Sequence, residues 1–248
     1  MKDEIIYGLN PILEALRGKR RAFELFIAGG GPDRRFEKLL LLAKEKGVAV
    51  RQREKGDISR LCGTEHHQGV ALRIEAFAYA DLEDILESQR NSGEVGLVVV
   101  LDGVQDPRNL GAIIRSAACA GVHGVIIPRD RAVGVTATVE KASAGVVETI
   151  PVAQVANIAQ TLEELKKEGF WIYGAMGGSA TSLYDQDFSG NTVVVIGGEG
   201  EGIRPLVRKK CDHLIAIPIK GGINSLNASV AAGVILFEIV RQRMKSDG

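Results

Sequence analysis

Five apolar runs in the C-terminal part of the chain restrict what it can fold into. "VGLVVVLD" begins at Val95, "GVIIP" at Gly124, "FWIYGAM" at Phe170, "TVVVIG" at Thr192 and "HLIAIPI" at His213. All are rich in β-branched residues. Strands that are apolar without interruption are covered on both faces, as in a parallel sheet between helices. Helical stretches fall between the runs, at 109–120, about 137–144, 156–168, about 205–210 and 226–245. The alternation predicts a doubly wound α/β domain over 95–248. Sites in such sheets lie beyond the C-terminal ends of the strands. The residues that follow each run are therefore the informative ones.

The N-terminal residues 1–75 read as a smaller α/β domain. Asn10-Pro11 looks like a helix start, a capping Asn followed by Pro at the first helical position, with the helix ending near Gly18. "FELFIA" is strand-like, and "DRRFEKLLLLAKEKG" is an amphipathic helix closed by Gly47. "VAVRQ" and "GVALRIE" are short strands flanking "DISRLCG". Such a unit is large enough to fold alone. Residues 76–94 read as an acidic linker, part helical at Leu82, Ile85 and Leu86, ending at Asn91-Ser92-Gly93.

Charge narrows the function. The chain of 248 residues carries 31 basic and 31 acidic side chains, which argues against a bulk polyanion binder. The balance is uneven along the chain: 15 basic against 11 acidic in 1–75, one against five in 76–94, and 15 of each in 95–248. The basic residues of the first domain cluster at Lys19-Arg20-Arg21, Arg34-Arg35 and Arg51/Arg53/Lys55. Such clusters neutralise phosphates or simply make a solvated face.

Cys62, Cys119 and Cys211 lie far apart without a CxxC, which fits a reducing compartment. Cys62 precedes His66-His67, but zinc spacing is absent and "HHQGV" reads as a turn into a strand, so no metal is expected. "MKDEIIYG" lacks the apolar region of a signal peptide, and the run 230–240 is too short to span a membrane. A cytoplasmic protein is expected.

Three polar loops follow apolar runs. In "GGEGEG" the glycines Gly198, Gly200 and Gly202 miss the dinucleotide fingerprint, and no P-loop Lys-Ser/Thr follows. Glu199 and Glu201 inside this loop would repel a pyrophosphate yet tolerate a cationic ligand such as S-adenosylmethionine. In "DPRNLGAIIRSA", Asn109 is a candidate helix cap and Arg115 lies six residues on, among small apolar neighbours. An Arg there either snorkels or aims its guanidinium at a carboxylate or phosphate, with Glu199 a candidate partner. The third loop opens "IPIKGGINSLNASVAAGVILFE", where far more small polar residues gather than one helix cap requires.

"LDGVQDPRNLGAIIRSAACAG", "VIGGEGEGIRP" and "IPIKGGINSLNASVAAGVILFE" together resemble the three ordered motifs of the SpoU/TrmH family, across all of 95–248. "YGLNPILEAL" and "HHQGVALRIE" resemble the family members that carry an L30e-like RNA-binding domain. The resemblance implies an S-adenosylmethionine-dependent RNA ribose 2′-O-methyltransferase. Its substrate would be RNA, most closely a guanosine of 23S rRNA, and it would work as a homodimer through the C-terminal domain. It implies an α/β-knot domain with a deep trefoil knot, for which small residues at Gly221, Gly222, Ala228, Ser229, Ala231 and Ala232 are suited. By the same resemblance, main-chain groups at Gly197, Ile217 and Leu226 bind the adenosine part of the cofactor. The catalytic set is Asn109, Arg115, Glu199, Ser225 and Asn227, with Asn109 and Glu199 fixing the Arg115 guanidinium and Ser225 and Asn227 orienting it and the ribose. Asn224 and Ala228 stand where the family commonly has Ser and Val. Other readings are the same chemistry on tRNA, an inactive RNA-binding assembly factor, and a small-molecule nucleotide enzyme on the same layout.

Overall fold

Each of the five apolar runs forms a strand, because helices cover the resulting sheet and leave little of the strands open to water. The computed structural model describes residues 3–18, 20–29, 34–179, 181–220 and 225–246. The expectations for Gly221, Gly222 and Asn224 lie outside the described residues. In chain order the first elements are β1 (Asp3–Tyr7), α1 (Leu9–Arg17), β2 (Ala22–Ala28), α2 (Glu37–Glu45), β3 (Ala49–Arg53), α3 (Lys55–Cys62) and β4 (Val70–Glu75). Then come α4 (Leu82–Ser92), β5 (Leu97–Asp102), α5 (Pro107–Cys119), β6 (Gly124–Pro128), α6 (Ala137–Ala142), β7 (Val152–Val155) and α7 (Ile158–Lys167). The last are β8 (Trp171–Ala175), β9 (Thr192–Gly197), α8 (Pro205–Arg208), β10 (His213–Ile215) and α9 (Ala228–Ser246).

Two compact units result, one of residues 1–78 with 135–149 and one of 79–134 with 150–248. The first holds a four-stranded sheet in the order β1-β4-β2-β3, in which only the β2–β3 pair is parallel. Alternation along β2 and β4 sends Leu25, Ile27, Leu72 and Ile74 to one core with Ile12, Leu16, Leu39 and Ala43 of α1 and α2. Phe26 and Ala71 pack instead with Ile58 of α3. Full burial of each such aliphatic side chain contributes about 1.5–3 kcal/mol.

Residues 135–149 belong with this unit, although the strand pattern had assigned them to 95–248. Their Val139 and Val147 are buried, and side-chain contacts with Arg20 tie the segment further. The Arg20 guanidinium reaches Glu140 at 3.0 Å and Glu148 at 2.5 Å, and also pairs with Glu4. Burial pushes the Glu140 carboxyl up to about 8 against the pull of Arg20, and Glu148 and Glu4 add to the rise.

Local details differ from expectation as well. Helix α1 begins at Leu9, so Asn10 is not its cap. Gly8 precedes it at φ 97°, and the Gln68 side chain accepts the Leu9 N–H at 2.9 Å. The "HHQGV" turn forms as expected, with Gln68 at φ 59° and Gly69 at φ 81°. Buried His67 holds it: Nδ1 accepts the Gly69 N–H at 3.0 Å while Nε2 meets Ser59 Oγ at 3.0 Å.

The second unit is a six-stranded sheet in the order β10-β8-β9-β5-β6-β7, with every pair parallel. Strands β5 and β9 occupy the middle, which explains their uninterrupted apolar character. The stretch read as a linker is folded into this unit. Asp81 and Asp84 form a capping box for α4, and Ile85 and Leu86 enter the core beneath β6. Gly124 is required there, since a Cβ would lie 2.5 Å from the Ile85 side chain. Helix α9 packs on α5, buries Ala232, Ile235, Leu236 and Ile239, and leaves Val230, Phe237 and Met244 exposed. Among the described residues no helix is long and apolar enough to cross a membrane.

Candidate active site

The C-terminal ends of β5 and β9 lie side by side, with Asp102 opposite Gly197. The loops leaving these strands make one site. Helix α5 starts at Pro107, and the Asp106 side chain caps it by accepting the Arg108 N–H at 2.8 Å. Asn109 is therefore not the cap, because Pro107 already occupies the first helical position. It lies inside the helix, buried, with its amide free for other partners.

Those partners come from the other two loops. Asn109 Nδ2 donates to Glu199 Oε1 at 2.6 Å, and Asn227 Nδ2 donates to Asn109 Oδ1 at 3.0 Å. Asn227 also caps α9, its Oδ1 accepting the N–H groups of Ser229 at 2.9 Å and Val230 at 3.4 Å. Burial alone would raise the Glu199 carboxyl. The hydrogen bonds from Asn109 and from the Gln105 and Asp106 amides outweigh it and hold the group below the usual carboxylate range. Glu199 is thus an anion at neutral pH, fixed at the mouth of a cavity.

That cavity measures about 350 Å³ and is bounded by Gly197, Glu199, Ile217, Ser225 and Leu226, with Ile196 and Ile235 behind them. All three expected adenosine-binding positions line it, as do two of the five expected catalytic ones. Its walls offer aliphatic side chains, main-chain groups and the carboxylates of Glu199 and Glu201, with no basic residue among the described ones. A pyrophosphate would be repelled, while a neutral adenosine carrying a cationic sulfonium fits. Gly197 cannot be replaced without rebuilding the loop, since its Cβ would sit 2.1 Å from the Gly202 carbonyl carbon. Among the described residues no three His, Cys, Asp or Glu side chains gather to hold a metal.

Arg115 is the exception. It is exposed on α5 and makes no ion pair or hydrogen bond among the described residues. Six helical residues turn the chain roughly 240° from Asn109, so the two side chains leave different faces. The expected contact with Glu199 is absent, and Asn109 takes its place.

Two residues of the site were not singled out from the sequence. Asp102 is fully buried and accepts the Arg204 N–H at 2.8 Å and Nε at 2.7 Å. The available signal was an acid closing an otherwise apolar buried strand, "LVVVLD".

Residues 96–237 match the model of the SpoU rRNA methylase family, and 5–80 match that for RNA 2′-O ribose methyltransferase substrate binding. The chain belongs to the SpoU rRNA methylase family. Its relatives in that family match over nearly the whole length. It is 43% identical over 243 residues to the 23S rRNA (guanosine-2′-O-)-methyltransferase RlmB of Xylella fastidiosa, covering 98% of each chain. An uncharacterized tRNA/rRNA methyltransferase of Mycolicibacterium smegmatis is 42% identical, covering 98% of this chain and 77% of the relative. Among solved structures, the SpoU methyltransferase AviRb of Streptomyces viridochromogenes with AdoMet aligns at TM-score 0.81 and 25% identity, covering 98% of this chain and 91% of that one.

Proposed function

We propose that the protein methylates a ribose 2′-hydroxyl of RNA, a guanosine of 23S rRNA, with S-adenosylmethionine as the methyl donor. The observation that carries this reading is the cavity at the C-terminal ends of β8, β9 and β10, which joins an aliphatic wall to a fixed carboxylate that disfavours phosphate. Full-length likeness to a 23S rRNA (guanosine-2′-O-)-methyltransferase supports the substrate.

The bound cofactor supplies an electrophilic methyl on a cationic sulfur. Main-chain groups at Gly197, Ile217 and Leu226 hold the adenosine, and Glu199 with Asn109 and Asn227 keeps a negative charge near the sulfonium. The new bond joins ribose oxygen to carbon as the carbon–sulfur bond breaks, and the hydroxyl proton must leave. Glu199, whose carboxyl its hydrogen bonds hold below its ordinary value, is a weak base and serves as an anchor. An Arg does not give up its proton near neutrality. Arg115, unpaired among the described residues, binds an RNA phosphate and stabilises the developing alkoxide, and the proton passes to phosphate or water. Ser225 and Asn227 orient the ribose. Much of the acceleration then comes from alignment of oxygen, carbon and sulfur.

In this reading the unit of residues 1–78 with 135–149 selects the RNA, while that of 79–134 with 150–248 carries the chemistry through the family's knotted chain path. The active form is a homodimer built on α9, whose exposed Val230, Phe237 and Met244 recur every seven residues and so form one apolar stripe. Three free cysteines and an rRNA substrate suit the cytoplasm.

Transfer of tritiated methyl from S-adenosylmethionine to rRNA and tRNA of a strain lacking the gene tests the proposal. Label at one guanosine 2′-oxygen of 23S rRNA is expected. Label in tRNA alone would change the substrate, and no label in either RNA would reject the activity. RNA binding should weaken linearly on a log–log plot against salt.

A further inference from the structure

We propose that Asp102 is a positioning residue. Through Arg204 its carboxylate latches the loop 198–204 to the end of β5, and so sets the shape of the cofactor cavity and the place of Glu199. The inference rests on the reading of that cavity as the cofactor site.

A carboxylate buried at a strand end is costly unless it is paired and hydrogen-bonded. Here both oxygens are engaged by one residue. Oδ2 accepts the Arg204 main-chain N–H at 2.8 Å, while Oδ1 accepts Nε at 2.7 Å and lies 2.5 Å from Nη2. The pair is asymmetric: the Asp102 side chain is 0% exposed and that of Arg204 is 36%. Asp102 is the fixed point and Arg204 the arm that reaches to it. Arg204 is itself held, because it occupies the N-cap position of α8 ahead of Pro205.

The main chain of Asp102 secures the other end of the loop. Its carbonyl accepts the Gly198 N–H at 3.0 Å, and Gly202 N–H then closes on Gly198 O at 3.2 Å. Gly198 has no room for a side chain, since a Cβ would meet Gly103 O at 2.3 Å. The loop is therefore pinched at a neck and tied beyond it. Glu199, Gly200 and Glu201 lie between, and all three wall the cavity. Asp102 and Arg204 do not line the cavity, so they act on the ligand only through this loop. The same tie keeps Glu199 within 2.6 Å of Asn109.

The test uses the full-length protein with Asp102→Asn, Arg204→Lys and the double change. Titration calorimetry with S-adenosylhomocysteine reads cofactor affinity, and steady-state assays read kcat and each KM. Asp102→Asn keeps the shape and loses the charge-assisted fork. Loss of such bonds typically corresponds to roughly tenfold to a hundredfold, and we expect that loss in affinity, with a matching rise in cofactor KM and an RNA KM within about twofold. Arg204→Lys keeps the charge and the main-chain bond to Oδ2, so its loss should be smaller. The double change should be no worse than Asp102→Asn, because both cut one interaction. A lower melting temperature with wild-type cofactor affinity would make the pair merely structural and overturn the proposal. If Asp102→Asn does not fold, Arg204→Lys decides, and wild-type affinity there overturns it equally. A wild-type protein that fails to bind S-adenosylhomocysteine overturns the cofactor reading and the latch with it. Binding by the wild type that the variants match overturns the latch alone.

Discussion

The Asn109 amide stands between Glu199 and Asn227, donating to the first at 2.6 Å and accepting from the second at 3.0 Å. The amide can do both, whereas an ionised carboxylate at this position has no proton to offer Glu199. Three loops that follow three different strands are joined through one side chain.

Asn109→Asp should therefore set two carboxylates against each other, so that one of them holds a proton over a raised pH range. Methyl transfer should fall at least about tenfold at pH 8 and recover partly toward pH 6, where a shared proton restores the bond. The single-turnover pH–rate profile measures this. A variant profile parallel to wild type would remove the contact from the mechanism.

Arg115 makes no bond among the described residues, so Arg115→Ala should leave the melting temperature nearly unchanged. Single-turnover methylation with saturating cofactor and RNA should nevertheless drop on the order of a hundredfold to a thousandfold. Arg115→Lys should rescue little, because lysine lacks the planar fork that grips a phosphate. Near-normal rates for Arg115→Ala would take the residue out of catalysis.

The exposed stripe of Val230, Phe237 and Met244 gives the assembly a single point of attack. Wild type should scatter light as a dimer at micromolar concentration, and Phe237→Glu should shift it to monomer. Phe237 is 49% exposed, so the change should not disturb the fold of one chain. A monomeric wild type would end the dimer assignment.

Glu140 predicts a pH dependence of stability. Burial pushes its carboxyl up to about 8, whereas an unfolded glutamate titrates near 4.3. Between these values the folded chain holds a proton that the unfolded chain has released. Stability should fall as pH rises across that window and level off above about 8. Thermal melts from pH 5 to pH 9 should show this decline, and Glu140→Gln should flatten it. A wild-type melting temperature that rises through the window would contradict the assignment.

Ile85 tests whether 82–92 is part of the catalytic unit. It is fully buried over Gly124, so Ile85→Ala should cost about 2–5 kcal/mol in urea unfolding. A change below about 0.5 kcal/mol would make the segment a linker after all.

Patterns confined to short stretches of sequence determined much of this protein. The continuous apolar runs of β5 and β9 required cover on both faces, and that requirement alone implies a parallel sheet with helices on each side. The glycine loop with two glutamates already argued against a pyrophosphate, and the cavity bears the same two carboxylates. What the sequence left open depends on which distant groups meet. Asn109 looked like a cap until Pro107 and Asp106 took the helix start and Glu199, 90 residues away, claimed its amide. Residues 135–149 read as part of the second domain, yet the fold places them in the first unit, where Val139 and Val147 are buried and Glu140 and Glu148 meet Arg20. Asp102 showed only as an acid at the end of an apolar strand, and its meaning came from a guanidinium 102 positions further on. Periodicity reports a residue's surroundings averaged over its neighbours, whereas a hydrogen bond or ion pair between remote residues is a distance of about 3 Å that only the folded chain sets.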